Sequence, residues 1–169
     1  MDVEHLTTHM AQHAVAIRSV AQGITDPQAR TRPDPDSWSM LEVINHLWDE
    51  EREDFKIHLD YTLHRPGEPW PEIHPGAWVT QRRYNERDWV GSLEGFFQER
   101  ELSLAWLRGL AAPDWDASYP APWGPITAGD LLAAWVAHDI LHLRQLVELR
   151  WALIKSELAP RDVRYAGEW

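Results

Sequence analysis

The chain has 169 residues, about the length of one domain and enough to bury a sizeable core. Its formal charge of −11, from 27 acidic and 16 basic residues, repels phosphate backbones and anionic lipid and so argues against nucleic acid or a membrane surface as partner. The absence of cysteine excludes disulfides, thiolate ligands and a thiol nucleophile, which leaves histidine and carboxylate for any metal chemistry.

Four helical segments follow one another. In the first, from about Val3 to Ile24, the residues Val3, Leu6, Met10, His13, Ile17, Val20 and Ile24 recur at alternating steps of three and four, the seam of a packed helix. Asp26-Pro27 reads as its end, and Arg32-Pro33-Asp34-Pro35 as linker. The second helix has a sharp start: Ser39 and Glu42 form a capping box, and Trp38 and Val43 flank it as a hydrophobic staple. It should run to about Tyr61, before a long loop from His64 to Gly76. A third helix lies between Arg82 and Leu110, with Trp89, Leu93, Phe96, Phe97, Leu104 and Leu107 facing inward. After a loop from Pro113 to Pro125, Thr127 and Asp130 repeat the capping box, with Ile126 and Leu131 as staple, and open a fourth helix reaching about Ile154. No strand-like alternation of useful length is present. The expected fold is an all-α four-helix bundle, a single domain over residues 1–169.

The histidines carry the chemistry. His138 and His142 lie four apart on the fourth helix, about 40° apart in direction and 6 Å in height, close enough to converge on one cation. They interrupt an inward stripe of Leu131, Trp135, Leu149 and Leu153. Two hydrogen-bonded core histidines would fit the same spacing, but adjacent buried imidazoles need partners, and one metal would satisfy both. HDILH departs from the metalloprotease pattern H-E-x-x-H, because Asp139 is one methylene shorter than its glutamate base. Trp135 sits one turn before His138 on nearly the same face and should line the pocket. His46 lies seven residues after its cap, and His138 and His142 lie eleven and fifteen after theirs, so the three share a phase relative to their helix starts. On its own helix, however, His46 points away from the apolar face set by Leu41, Ile44, Leu47, Trp48 and Phe55, which by periodicity makes it a solvated residue. His5 and His9 read as exposed histidines of a terminal turn, whereas His13 occupies the seam and is a candidate to line the pocket.

SWSMLEVINHLWDEE and AHDILHLRQL resemble the second and fourth helices of the DinB/YfiT-like superfamily, and the closing RYAGEW resembles a frequent ending among its members. The resemblance spans most of the chain. It implies a four-helix bundle of unusual helix order, a divalent metal, zinc or nickel, and His46, His138 and His142 as its ligands. It implies a metal-dependent enzyme acting on a small molecule, a thiol S-transferase using bacillithiol or mycothiol or a related hydrolase. A non-catalytic metal-binding or stress-related protein is the alternative. Three histidines leave coordination positions open, as in catalytic metal sites. Glu50 is the candidate base or supporting residue beside the metal. A homodimer is also expected, since Leu132, Val136, Ile140, Leu143 and Val147 make the fourth helix apolar almost all round. No apolar run approaches the ~18–20 residues of a membrane span, and MDVEHLTTHMAQH lacks the features of a signal peptide, so a cytoplasmic protein is expected.

Overall fold

The amide of His5 donates to Asp2 Oδ1 and so starts α1, Val3–Ala21, in a computed structural model that describes residues 1–167. The helix ends a turn before Ile24, because Gly23 takes a positive φ of 76°. Asp26-Pro27 does not terminate it. Thr25 and Gln28 form a capping box that opens the short α2, Asp26–Ala29, with Pro27 in the first turn, where no amide proton is needed.

Both capping boxes read from the sequence are present. Ser39 and Glu42 open α3, Met40–Glu50, and Thr127 and Asp130 open α7, Ala128–Leu158, one turn longer than expected. α3 passes through a π-helical turn, Glu51–Phe55, straight into α4, Lys56–His64, so one rod covers the expected second helix and one turn more. The expected loop yields at its end to α5, Pro75–Gln81, which starts on a proline at its first position. α6 is Trp89–Gly109, capped by Asp88.

The absence of strands expected from the sequence is corrected by a hairpin. β1, Ser118–Ala121, pairs antiparallel with β2, Gly124–Thr127, across the two residues Pro122 and Trp123. Each strand has only four residues, and Pro120 stands opposite Pro125, so no alternation long enough to read survives. The RYAGEW ending contains a 3₁₀ turn at Arg164–Ala166, while Glu168 and Trp169 lie outside the described residues.

α1, the α3–α4 rod, α6 and α7 form the bundle: α1 packs on α6 and α7, and α3 packs on the same two from the other side. Gly95 lets α6 approach α3 closely, since a Cβ there would fall 2.5 Å from the Trp48 indole. The core has two apolar ends. Ile17, Leu47, Phe96, Phe97 and Leu146 belong to one, and Met10, Leu59, Leu104, Leu132 and Trp135 to the other. Between them, on all four rods, stand polar residues: His13, Glu50 and Glu51, Arg100, and His138 and Asp139. This layer positions the site.

Candidate metal centre

The packing of α3 on α7 brings His46 against His138 and His142. The three Nε2 atoms are 3.4 Å (His46–His138), 3.1 Å (His46–His142) and 3.1 Å (His138–His142) apart. No distribution of protons satisfies this triangle. Each neutral Nε2 is either a donor or an acceptor, so at least two of the three must share a role and face each other unpaired. A cation removes the conflict, because all three then present lone pairs to it. Two nitrogens held ~2.0–2.1 Å from one tetrahedral ion stand about 3.3 Å apart, which the observed edges bracket. The donor set fits a borderline divalent metal.

The far sides of the rings are also accounted for. His142 Nδ1 lies 2.8 Å from Gln145 Oε1, which accepts its proton and so leaves Nε2 as the free lone pair. His46 Nδ1 and Glu50 Oε1 are both buried without a hydrogen-bond partner, 3.8 Å from each other. Burial, and then the neighbouring imidazoles, push His46 down to about 2. Burial, with His142 next, lowers His138 to about 4. The rings are therefore neutral, the form a metal requires. Burial, and then Asp54 and Asp49, push the Glu50 carboxyl up to about 9. Glu50 thus stands beside His46 at the edge of the triangle, the position expected of a base or supporting residue near the metal. Trp38 covers the cluster: its indole lies 5.0 Å from the His46 ring and stacks at 2° on His142, 6.3 Å away. A cavity of about 400 Å³ lined by Trp38, Gln145, Glu148 and Trp151 adjoins this side.

The family model of the DinB superfamily matches residues 9–146. The chain belongs to the DinB superfamily. Among solved structures, it is similar to YfiT from Bacillus subtilis, described as a probable metal-dependent hydrolase with an unusual four-helix bundle topology. The TM-score is 0.77 at 20% identity, over 89% of this chain and 87% of that one, so the two share a fold. No curated protein matches this DinB chain.

Behind the histidines, the DinB chain holds a buried ion cluster that the sequence reading missed. Arg100, 1% exposed, donates two bonds to Asp139 (2.7 and 2.7 Å), two to Glu51 (2.8 and 2.8 Å) and one to the Met10 carbonyl. Burial alone would raise the Asp139 carboxyl, but Arg100 and then His13 outweigh it and hold Asp139 below its ordinary value. Both Asp139 oxygens are taken by Arg100, one of them also by His13, so Asp139 is not free to serve as the base of a metalloprotease motif. His13 does not reach the triangle either; its Nδ1 lies 3.2 Å from Asp139 Oδ2. Trp135 is buried, donates to Glu51 Oε2 at 3.0 Å, and stacks on Phe55, whose ring in turn touches His138. A signal for Arg100 existed: it continues the stripe of Phe96, Phe97, Leu104 and Leu107 at helical spacing. Asp54 and His58 extend the Glu50 face along the rod, His58 Nδ1 lying 2.8 Å from Asp54 Oδ1 and Nε2 3.1 Å from the Pro71 carbonyl. His64 and His74 stand at the surface and take no part in the centre.

Proposed function

We propose that His46, His138 and His142 hold one divalent metal, zinc or nickel, and that this single-domain DinB protein is a metal-dependent enzyme acting on a small molecule. The observation that carries the reading is the triangle of Nε2 atoms, which has no satisfactory proton arrangement and the dimensions of a three-nitrogen ligand set. The bound ion would supply Lewis acidity, lowering the pKa of a water or a thiol. Three protein ligands leave room for that group and for substrate. Hydrolysis is the first reading, supported by the description of YfiT. Transfer to a low-molecular-weight thiol such as bacillithiol or mycothiol is the second, and any sulfur must then come from outside a chain that has no cysteine.

The roles of the protein groups follow from their positions. Gln145 fixes the His142 tautomer. Glu50 is proposed as the partner of His46, closing on its Nδ1 when the ring is drawn to the ion, and as the base or supporting residue beside the metal. Trp38 and the adjoining cavity offer an apolar wall for the substrate. Titration of metal-free protein with Ni²⁺ or Co²⁺ should quench tryptophan fluorescence saturably, and Trp38→Phe should remove more of the quenching than Trp135→Phe, because Trp38 lies against the histidines directly. Equal quenching in all three proteins would sink the site. A screen of ester, amide and thiol-plus-electrophile substrates, with and without metal, separates hydrolase from transferase. Metal bound without turnover in any arm would favour the non-catalytic reading.

The homodimer belongs to the same proposal. α7 leaves Ile140 and Leu141 at 48% and 62% exposure on its outer side, although Leu132 is already buried within the bundle. A second copy covering them would remove this apolar strip from water. Light scattering at micromolar concentration should give twice the 19.6 kDa chain mass, and a monomeric mass would overturn the expectation. No helix among the described residues is long and apolar enough to cross a membrane.

A further inference from the structure

The first turns of α1 hold two histidines that the three-histidine centre does not use. His5 Nε2 and His9 Nε2 lie 3.0 Å apart, with ring centroids at 4.5 Å and planes at 84°. His5 is exposed and His9 half-buried, so the pair faces solvent. The backbone beneath is fixed. The His5 amide is held by Asp2, the Thr7 and Thr8 hydroxyls donate to the Glu4 carbonyl (3.1 and 2.8 Å), and the next residue after His9, Met10, is fully buried. Two imidazoles one turn apart on an ordered helix are a chelate whose ordering cost is already met by the fold.

We propose that His5 and His9 form a second metal site, at the surface, taking a borderline divalent cation such as Cu²⁺ or Ni²⁺ through two imidazole nitrogens, with water in the remaining positions. The separation of 3.0 Å matches two nitrogens ~2.0–2.1 Å from one ion at an angle near 90°, which stand about 2.9 Å apart. Imidazole selects these ions over Mg²⁺ and Ca²⁺, which prefer oxygen. The positive end of α1 opposes a cation here, but the carboxylates of Asp2 and Glu4 and the overall charge of −11 favour one. With two protein ligands and open access, the site binds more weakly than the three-histidine centre and exchanges faster. It shares no residue with that triangle, so either site can fail without the other.

The test is calorimetric titration of the metal-free protein with Ni²⁺ alone at neutral pH. Wild type should take two equivalents, one tight and one weaker. His5→Ala/His9→Ala should lose the weaker equivalent and keep the tight one, and His138→Ala/His142→Ala should do the reverse. His9→Ala alone should weaken the second step by about a hundredfold, the order of gain when a second contact becomes intramolecular. In the NMR spectrum of wild type, the ring protons of His5 and His9 should broaden with the weaker step. A weaker equivalent that persists in His5→Ala/His9→Ala would assign it to surface carboxylates and overturn the proposal. A wild-type titration that stops at one equivalent up to millimolar Ni²⁺ would reduce the His5–His9 contact to a hydrogen bond and overturn it equally.

Discussion

Metal at a hundred times its dissociation constant should raise the melting temperature of the wild-type protein by about 5–10 °C. The figure combines a mass-action gain of about 2.7 kcal/mol with about 2–4 °C per kcal/mol for a chain of this length. A bundle this size has enough apolar surface to fold unaided, so the metal-free protein should remain helical. His138→Ala and His142→Ala should each nearly abolish the shift, because each removes one of two ligands carried by a single rigid helix. His46→Ala should do the same. Without metal, the three substitutions should cost little, since each relieves the triangle of its unpaired contact. His5→Ala and His9→Ala are the internal control and should keep the shift at this concentration, where the weaker pair stays largely unfilled. Thermal melts monitored by circular dichroism decide the matter. Retention of the full shift in His46→Ala would remove the three-histidine centre and the main support for enzymatic function.

The second large effect concerns Arg100. Arg100→Met should lower the free energy of unfolding by about 3–5 kcal/mol, the range for breaking a buried pair from one side. Five hydrogen bonds vanish, and Glu51 and Asp139, both 1% exposed, are left buried together, Glu51 with only the Trp135 hydrogen bond and Asp139 with only His13. The diagnostic comparison is Arg100→Met/Asp139→Asn. Removing one of the stranded charges should recover part of the loss, so the double variant should be more stable than the sum of the single effects requires. Urea denaturation of the three proteins measures this coupling. A loss below about 1 kcal/mol in Arg100→Met would show that the cluster contributes no more than an exposed pair.

The helix starts were legible because capping is local: Ser39 with Glu42, and Thr127 with Asp130, need nothing beyond four residues of sequence. His138 and His142 were legible as a pair because they break an apolar stripe. His46 was not legible from phase. Its helix is buried from Met40 to Leu47 on every side, so a periodicity argument that assumes a wet face misassigns it, and only resemblance to a family placed it. Trp38 was read as a staple and also covers the metal centre, a double duty that no spacing reveals. The π turn at Glu51–Phe55 carries no glycine or proline to announce it; partners on two other helices, Arg100 and Trp135, hold Glu51 there. The hairpin was too short and too rich in proline to show a pattern.

The polar layer across the middle of the bundle also governs how the helices can be threaded against one another. Apolar ends alone would tolerate sliding, since leucine packs against leucine nearly as well one turn up or down. Shifting α6 by one turn, about 5.4 Å, would carry Arg100 out of reach of Asp139 and Glu51 and press three charges into hydrocarbon. The α1–α7 pairing is held the same way by His13 and Asp139. The layer therefore works as a vernier: four rods agree at one setting only, and at that setting His46 stands level with His138 and His142.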